Sequence, residues 1–511
     1  MEGPTTRDGQ GALAGLLAAA GGIGASLLLA NLLGSASSPA YALGSRVVDL
    51  TPGWLKDWAV AHLGTNDKTV LLASVFFVMA LAAAAVGILV TRKVTAGLVA
   101  AGLLNLVALG AAVQTARGLD LSVPTLLPGS VSLVVSVALL YFFSRSWTST
   151  TAQSDAPAGF RRRVFLGAAL ASGGVAVVAG GSSSFLGNAG VSSRADVKLP
   201  KAAGTVSAIP KGTELDVSGL TPYLTSNDAF YRVDVALKLP QIDAGAWRLR
   251  VHGMVDKELE LSFQDILTMP LVERRITLTC VSNQVGDHYV GNATWLGVPM
   301  RELLKEAGVR SGADCLVSTS QDDMTISTPI KALTDDRDAL LAVGMNGVPL
   351  PVKHGFPARM IVPGLYGYVS ATKWVIDMEV TRFSEVSTYW TDRNWAEQAP
   401  IKTESRIDVP RQFQSVNAGT VNVAGVAYAQ RRGIEKVEVR VDGGAWQEAR
   451  LATEDSIDNW RQWVYPWKAT AGQHRIDVRA TDKDGYTQTS DRVPPRPDGA
   501  TGWHSTTVNV A

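Results

Sequence analysis

Hydrophobic residues are distributed along this chain in two regimes. Up to about residue 185 they run together in long uncharged blocks, and from about residue 198 they alternate with polar residues or recur at helical spacing. Four blocks, at residues 12–34, 70–91, 94–116 and 128–144, approach the roughly 20 apolar residues that a bilayer-crossing helix needs. A fifth, at residues 164–181, is weaker and rich in Gly and Ala. Beyond the blocks, Trp247-Arg248-Leu249-Arg250-Val251-His252 alternates as a strand does, and Ser262-Phe263-Gln264-Asp265-Ile266-Leu267 reads as a short helix. Asn346-Gly347 marks a tight hairpin turn. Val437 to Trp446 reads as strand, turn and returning strand, followed by a further strand at Arg475 to Arg479. The pattern predicts an N-terminal all-α transmembrane bundle of four spans plus one, an α+β domain, and a C-terminal β-sandwich.

Charge orients the bundle. Arg92-Lys93 lies between the second and third blocks, and Arg145 with Arg161-Arg162-Arg163 lies between the fourth and fifth. Loops rich in Lys and Arg stay cytoplasmic, so the N-terminus is expected in the cytoplasm and everything after about residue 182 outside it. Pro52 to Trp58 is expected to lie in the membrane interface. Arg162-Arg163-Val164-Phe165-Leu166 also resembles an internal twin-arginine export signal; a plain basic flank reads equally well there. None of the six histidines lies inside a block and no charge lies mid-span, which excludes paired imidazole ligation of an intramembrane haem and argues against a proton pathway. The formal charge of +1 lacks the basic footprint of a nucleic-acid binder. Cys280 and Cys315 are the only cysteines, too few for a disulfide scaffold, although one bridge between them stays open. Cys315 reads as part of a buried strand.

Four patches in the second half carry the candidate chemistry. The first, Thr221 to Arg232, contains Asn227, Phe230, Tyr231 and Arg232, a mixture that supplies neutral and charge-assisted hydrogen bonds to an anion. The second is Leu278-Thr279-Cys280-Val281-Ser282-Asn283, with Gly291 to Leu304 behind it and a helix opening at Met300. Alone, Cys280 would pass for inert packing; as a thiolate it is a soft metal ligand. The third, Asp338 to Arg359, ends in His354-Gly355-Phe356-Pro357-Ala358-Arg359, and the planar fork of Arg359 suits a phosphate. The fourth, Val362-Pro363-Gly364 through Lys373-Trp374, has glycines that let backbone amides approach an anion.

Taken in this order, the patches resemble the molybdenum domain of the sulfite oxidase superfamily. The resemblance covers about residues 215–511 and implies a mononuclear molybdenum held by a pterin dithiolene and by Cys280 as metal ligand. It implies cofactor contacts from Asn227, Phe230, Tyr231, Arg232, Asn283, His354, Arg359, Gly364 and Lys373. It also implies that the C-terminal β-sandwich is an immunoglobulin-like dimerisation domain, hence a homodimer. The chain departs from sulfite oxidases where a basic pair follows the ligand cysteine: here Gln284-Val285 stands. Trp395, in Trp390-Thr391-Asp392-Arg393-Asn394-Trp395, falls where those enzymes carry a catalytic Tyr. A less cationic pocket is expected, which argues against sulfite. The signature of a cytochrome b5 module is absent, so no haem is expected, and electrons pass to or from a quinol pool or a redox protein. The expected parts are a four-helix membrane region at 1–150, the export motif and fifth span at 151–185, a linker at 186–215, the molybdopterin-binding domain at 216–400 and the β domain at 401–511. The expected function is membrane-anchored, extracytoplasmic molybdenum-cofactor oxidoreductase chemistry on a small-molecule substrate. A metal-free exported binding module with the same fold is the alternative.

Overall fold

The computed structural model describes residues 4–33, 39–52, 55, 67–115, 118–119, 121–148, 189–237 and 239–511. Its contacts divide the chain into two units, Met1–Ala189 with Ala236–Gln241, and Gly190–Val235 with Ile242–Ala511.

The first unit contains helices α1 (Pro4–Leu32), α2 (Pro39–Leu50), α3 (Asp67–Arg92), α4 (Val94–Val113) and α5 (Val123–Thr148). Four stretches, Arg7–Asn31, Thr69–Arg92, Val94–Val113 and Val123–Arg145, are long and apolar enough to cross a membrane. They coincide with the first four apolar blocks. Phe77, Val78, Leu81, Val107 and Val134 are exposed on this unit, an arrangement suited to lipid rather than water. Helices α1 and α3 meet at Gly11, Gly15 and Gly87, where an added Cβ would strike the opposite backbone; small residues are what let such helices approach closely. The hydroxyl of Ser132 donates to Asn105 Oδ1 at 3.0 Å, joining α5 to α4. A two-residue ladder, β1 (Gln114–Thr115) with β2 (Gly118–Leu119), follows α4. The fifth apolar block, Arg161 to Arg163 and most of Pro52 to Trp58 lie outside the described residues.

The second unit opens with α6 (Ala189–Asp196). This region was expected to be a linker, yet Arg194 donates to the carbonyls of Pro349 (2.7 Å) and Leu350 (2.8 Å), and Val197, Leu199 and Ala202 pack on the core. Ten strands follow: β3 (Arg248–Gly253), β4 (Leu259–Ser262), β5 (Val272–Thr279), β6 (Val290–Pro299), β7 (Cys315–Ser320), β8 (Thr325–Pro329), β9 (Leu340–Met345), β10 (Val348–Pro349), β11 (Arg359–Ile361) and β12 (Val375–Thr381). They form two five-stranded sheets. One has the order β10-β9-β6-β5 with β11 beside β9, and the other β4-β3-β12-β7-β8. Helices α7 (Phe263–Thr268), α8 (Met300–Ala307) and α9 (Ile330–Thr334) join the strands. Ser262 starts α7 through a capping box with Asp265. Asn346 and Gly347 both take positive φ (49° and 79°) in the two-residue turn between β9 and β10, as the Asn-Gly pair predicts.

The last eight strands are β13 (Glu404–Val409), β14 (Ser415–Val416), β15 (Gly419–Tyr428), β16 (Ile434–Val441), β17 (Gln447–Leu451), β18 (Arg461–Ala469), β19 (Gly472–Asp482) and β20 (His504–Val510). They make one continuous sheet, β13-β15-β18-β17-β16-β19-β20-β14, around a core that includes Val423, Trp463 and Val478. The turn from one half to the other falls in β17, whose first residues pair with β16 and whose last two pair with β18. The result is a β-rich half-barrel. Trp460 and Trp463 are buried in packing.

Candidate active site

Cys280 immediately follows β5, at the start of the ten-residue connection to β6. Its amide donates to Tyr289 O at 2.9 Å, closing the base of that loop. The thiol is free and only 9 % exposed. Burial pushes its pKa up, and Asp287 adds to the rise.

His354 ends a single 3-10 turn (Val352–His354), and Gly355 follows in the left-handed region at φ +110°. A Cβ on Gly355 would press on the Cβ atoms of Arg359 (3.1 Å) and Lys373 (3.2 Å). Glycine here therefore brings two cations side by side. His354 Nε2 lies 2.8 Å from Asn227 O, which places the ring proton on Nε2 and leaves Nδ1 as an acceptor. Burial first, and then Arg359, lower its pKa to about 4, so the ring is neutral. Arg359 opens β11, and its buried guanidinium donates to His354 O at 3.1 Å and stands over the Trp295 ring. Its Nε has no partner among the described residues. Burial lowers its pKa to about 10. Lys373 precedes β12 and donates to Asp234 Oδ2 at 2.7 Å; burial lowers its pKa to about 8, against the pull of Asp234.

Cys280, Phe230, Tyr231, His354, Arg359 and Lys373 line one cavity of about 110 Å³. Phe230 meets both Trp295 and His354 edge to face. Burial raises the pKa of Tyr231. Residues that the sequence reading missed share the wall: Asp234, Ser320, Asp322, Tyr368 and Trp390. Asp322 lies in the turn between β7 and β8, where acidic residues ordinarily mark a solvated loop. Its Oδ1 is buried with no partner among the described residues, and burial followed by Asp234 raises its pKa.

Five expected residues stand outside the wall. Asn227 builds scaffold: its Oδ1 accepts from Asn346 Nδ2 at 2.8 Å while its carbonyl holds His354. Arg232 turns to Asp234 (2.7 and 3.1 Å). Asn283 braces the Cys280 loop, accepting from Tyr289 N at 2.8 Å and donating to Tyr428 Oη at 3.1 Å. Gly364, at φ +82°, forms a turn against Arg431. Trp395 sits one layer back, with its ring 5.4 Å from Tyr368 and 5.9 Å from Trp390.

The arrangement suits an anionic, hydrogen-bonding group with its own metal chelate. Two buried cations face the cavity beside an acceptor ring nitrogen and a partnerless carboxyl oxygen, and a lone thiol stands at one end. Among the described residues no three His, Cys, Asp or Glu side chains are grouped to hold a metal unaided.

Residues 236–390 match the family described as oxidoreductase molybdopterin binding domain. The uncharacterized oxidoreductase YuiH of Bacillus subtilis is 33% identical over 140 residues, 27% of this chain and 68% of YuiH. The chain belongs to the sulfite oxidase superfamily of molybdopterin-dependent oxidoreductases. Human mitochondrial sulfite oxidase is 28% identical to this superfamily member over 342 residues, covering 57% of the chain and 62% of the human protein. The chain thus spans less than two thirds of that relative. Among solved structures, the sulfane dehydrogenase SoxCD of Paracoccus pantotrophus shares the fold, with a TM-score of 0.51 and 21% identity over 62% of this chain and 93% of that one.

Proposed function

We propose that this superfamily member is a membrane-anchored oxidoreductase whose cavity holds one molybdenum cofactor, acting outside the cytoplasm on a small substrate. The observation that carries this reading is the buried Arg359, whose Nε lacks a partner in the wall that also presents Cys280, His354 and Lys373. A buried polar atom of this kind calls for a ligand. In this reading Cys280 would be the metal ligand, held as its thiolate although burial by itself favours the protonated thiol. Arg359 and Lys373 would hold the anionic part of the cofactor, and His354 and Asp322 would offer it hydrogen-bond acceptors. The cofactor, when bound, supplies two-electron redox chemistry of the oxygen-atom-transfer kind. Phe230 and Tyr231 keep water from one side of the cavity, and Tyr368 and Trp390 from the other.

Sulfite is disfavoured as substrate. Gln284 stands where an anion-binding Arg is expected, and Arg232 is already engaged by Asp234. Trp395 shapes the aromatic wall from behind. The further assignments in the same reading are a fifth span with a twin-arginine-like signal at 151–185 and a C-terminal half-barrel that is the counterpart of an immunoglobulin-like dimerisation domain. A quinol pool or redox protein serves as electron partner.

Molybdenum content of the detergent-purified full-length chain, measured by elemental mass spectrometry beside Cys280→Ser, tests the reading. Near-stoichiometric metal in the wild type is expected, with metal or redox activity lost in the variant. No molybdenum in protein from a cofactor-competent host would favour the metal-free binding module.

A further inference from the structure

The loop from Cys280 to Tyr289 is held from a direction that the cavity does not account for. Three of its points are met by the C-terminal half-barrel. Asn283 Nδ2 donates to Tyr428 Oη at 3.1 Å. Asp287 O accepts from Arg406 Nη1 at 2.9 Å. Gly286, at φ +87°, lies so close to the His504 ring that a Cβ would overlap it. These contacts come from β13, the end of β15 and the start of β20, and all three side chains are themselves fixed. Arg406 is buried, donates to Asp408 Oδ1 at 2.6 Å, and also reaches Thr221 Oγ1 at 3.1 Å, at the start of the segment leading to Phe230 and Tyr231. His504 Nδ1 accepts from Ile407 N at 2.9 Å. Tyr428 is 2 % exposed.

We infer that Arg406, Tyr428 and His504 are positioning residues for Cys280, so that the half-barrel sets where the sulfur stands as well as whatever assembly role it has. The inference rests on the reading of Cys280 as the metal ligand. The chemistry is that of preorganisation: a ligand on a ten-residue connection keeps its geometry only when second contacts fix the loop. Inside the loop, Cys280 N donates to Tyr289 O, Asn283 N to Cys280 O, Asp287 N to Gln284 O and Tyr289 N to Asn283 Oδ1. The half-barrel contacts add to these from outside the loop, and through Tyr428 they fix the same Asn283 that braces it. Arg406 also ties the loop to Thr221, at the head of the segment that carries Phe230 and Tyr231.

The test uses the full-length chain with Tyr428→Phe, which removes one acceptor, and Gly286→Ala, which pushes the loop off His504. Hydrogen exchange across residues 280–289 is compared with exchange in β7. In protein from a cofactor-deficient host, alkylation of Cys280 is compared with that of Cys315, a buried cysteine of β7 that serves as internal reference. Loss of one hydrogen bond is expected to raise loop exchange and Cys280 alkylation about fivefold, with β7 unchanged. Wild-type rates in both variants would overturn the inference. So would a parallel rise at Cys280 and Cys315, which is what general loss of stability produces. Molybdenum measured on the same preparations separates the two claims: a wild type without metal removes the ligand reading, while exchange and alkylation still decide whether the half-barrel clamps the loop.

Discussion

Glu404 shows how far one side chain departs from what its letter suggests. It opens β13 directly opposite Tyr428 in β15, and Gln488 Nε2 donates to its Oε2 at 3.2 Å. Burial raises its pKa to about 8, Lys402 opposing, and its charge would also bear on Tyr366 and Tyr428. The sign follows from linkage. A carboxyl whose folded pKa exceeds its ordinary 4.5 favours the fold while protonated, so its contribution is complete below pH 4.5 and is lost as pH rises to about 8. Glu404→Gln keeps the shape without the charge. Its melting temperature relative to wild type should climb between pH 4.5 and 8 and level off above, with a gain of no more than a few kcal/mol; a difference flat across that window would refute the assignment. The same gap between letter and environment explains the residues that the sequence assigns to the site and that stand outside the cavity wall. Motif order locates a segment beside a pocket, but whether Asn227 or Asn283 points inward depends on which carbonyl or hydroxyl waits nearby, and those partners come from Met345 and Tyr428, more than a hundred residues away. Asp322 was overlooked because an acidic turn normally faces water, whereas here the turn between β7 and β8 folds over the cavity.

At the scale of elements, local chemistry suffices for several features. The short helix after Ser262, the Asn346-Gly347 turn and the helix opening at Met300 each follow from chemistry within a few residues. The union of the two β-rich parts is a long-range matter. Arg275 in β5 donates to Asp455 Oδ1 at 2.8 Å, with both side chains 6 % exposed, and Tyr223 Oη donates to the same carboxylate. Gln430 Nε2 and the amide of Trp460 bond to Thr277, carrying the half-barrel onto β5. None of these pairs has a local signature, so the expected boundary near residue 400 conveyed sequence order and missed how firmly the parts are joined. Asp455→Ala should cost about 3–5 kcal/mol, because it leaves a buried guanidinium and a phenol without their acceptor. Chemical denaturation of the chain, followed by tryptophan fluorescence, measures this. A loss below about 1 kcal/mol, the size of an ordinary surface pair, would show that water reaches Arg275 in solution.

For the whole molecule the open quantity is which side of a membrane each part faces. The four apolar helices carry their basic residues at Arg92-Lys93 and Arg145, and the positive-inside rule puts both on the cytoplasmic side. With a fifth crossing, as proposed, the cofactor domain would lie outside, which is also what a twin-arginine-like signal at Arg162-Arg163 would serve. The chain offers a clean assay, since Cys280 and Cys315 are both buried and contribute little background to thiol labelling. Lys93 and Asp491 are exposed, one between α3 and α4 and the other in the half-barrel. With Lys93→Cys and Asp491→Cys in separate variants, a membrane-impermeant maleimide applied to intact cells should label only Asp491→Cys, and Lys93→Cys should label only after permeabilisation. Labelling of Lys93→Cys alone in intact cells would invert the orientation. Labelling of neither would place both parts inside, make the fifth block a non-spanning segment, and restrict the electron partner to those of the cytoplasm.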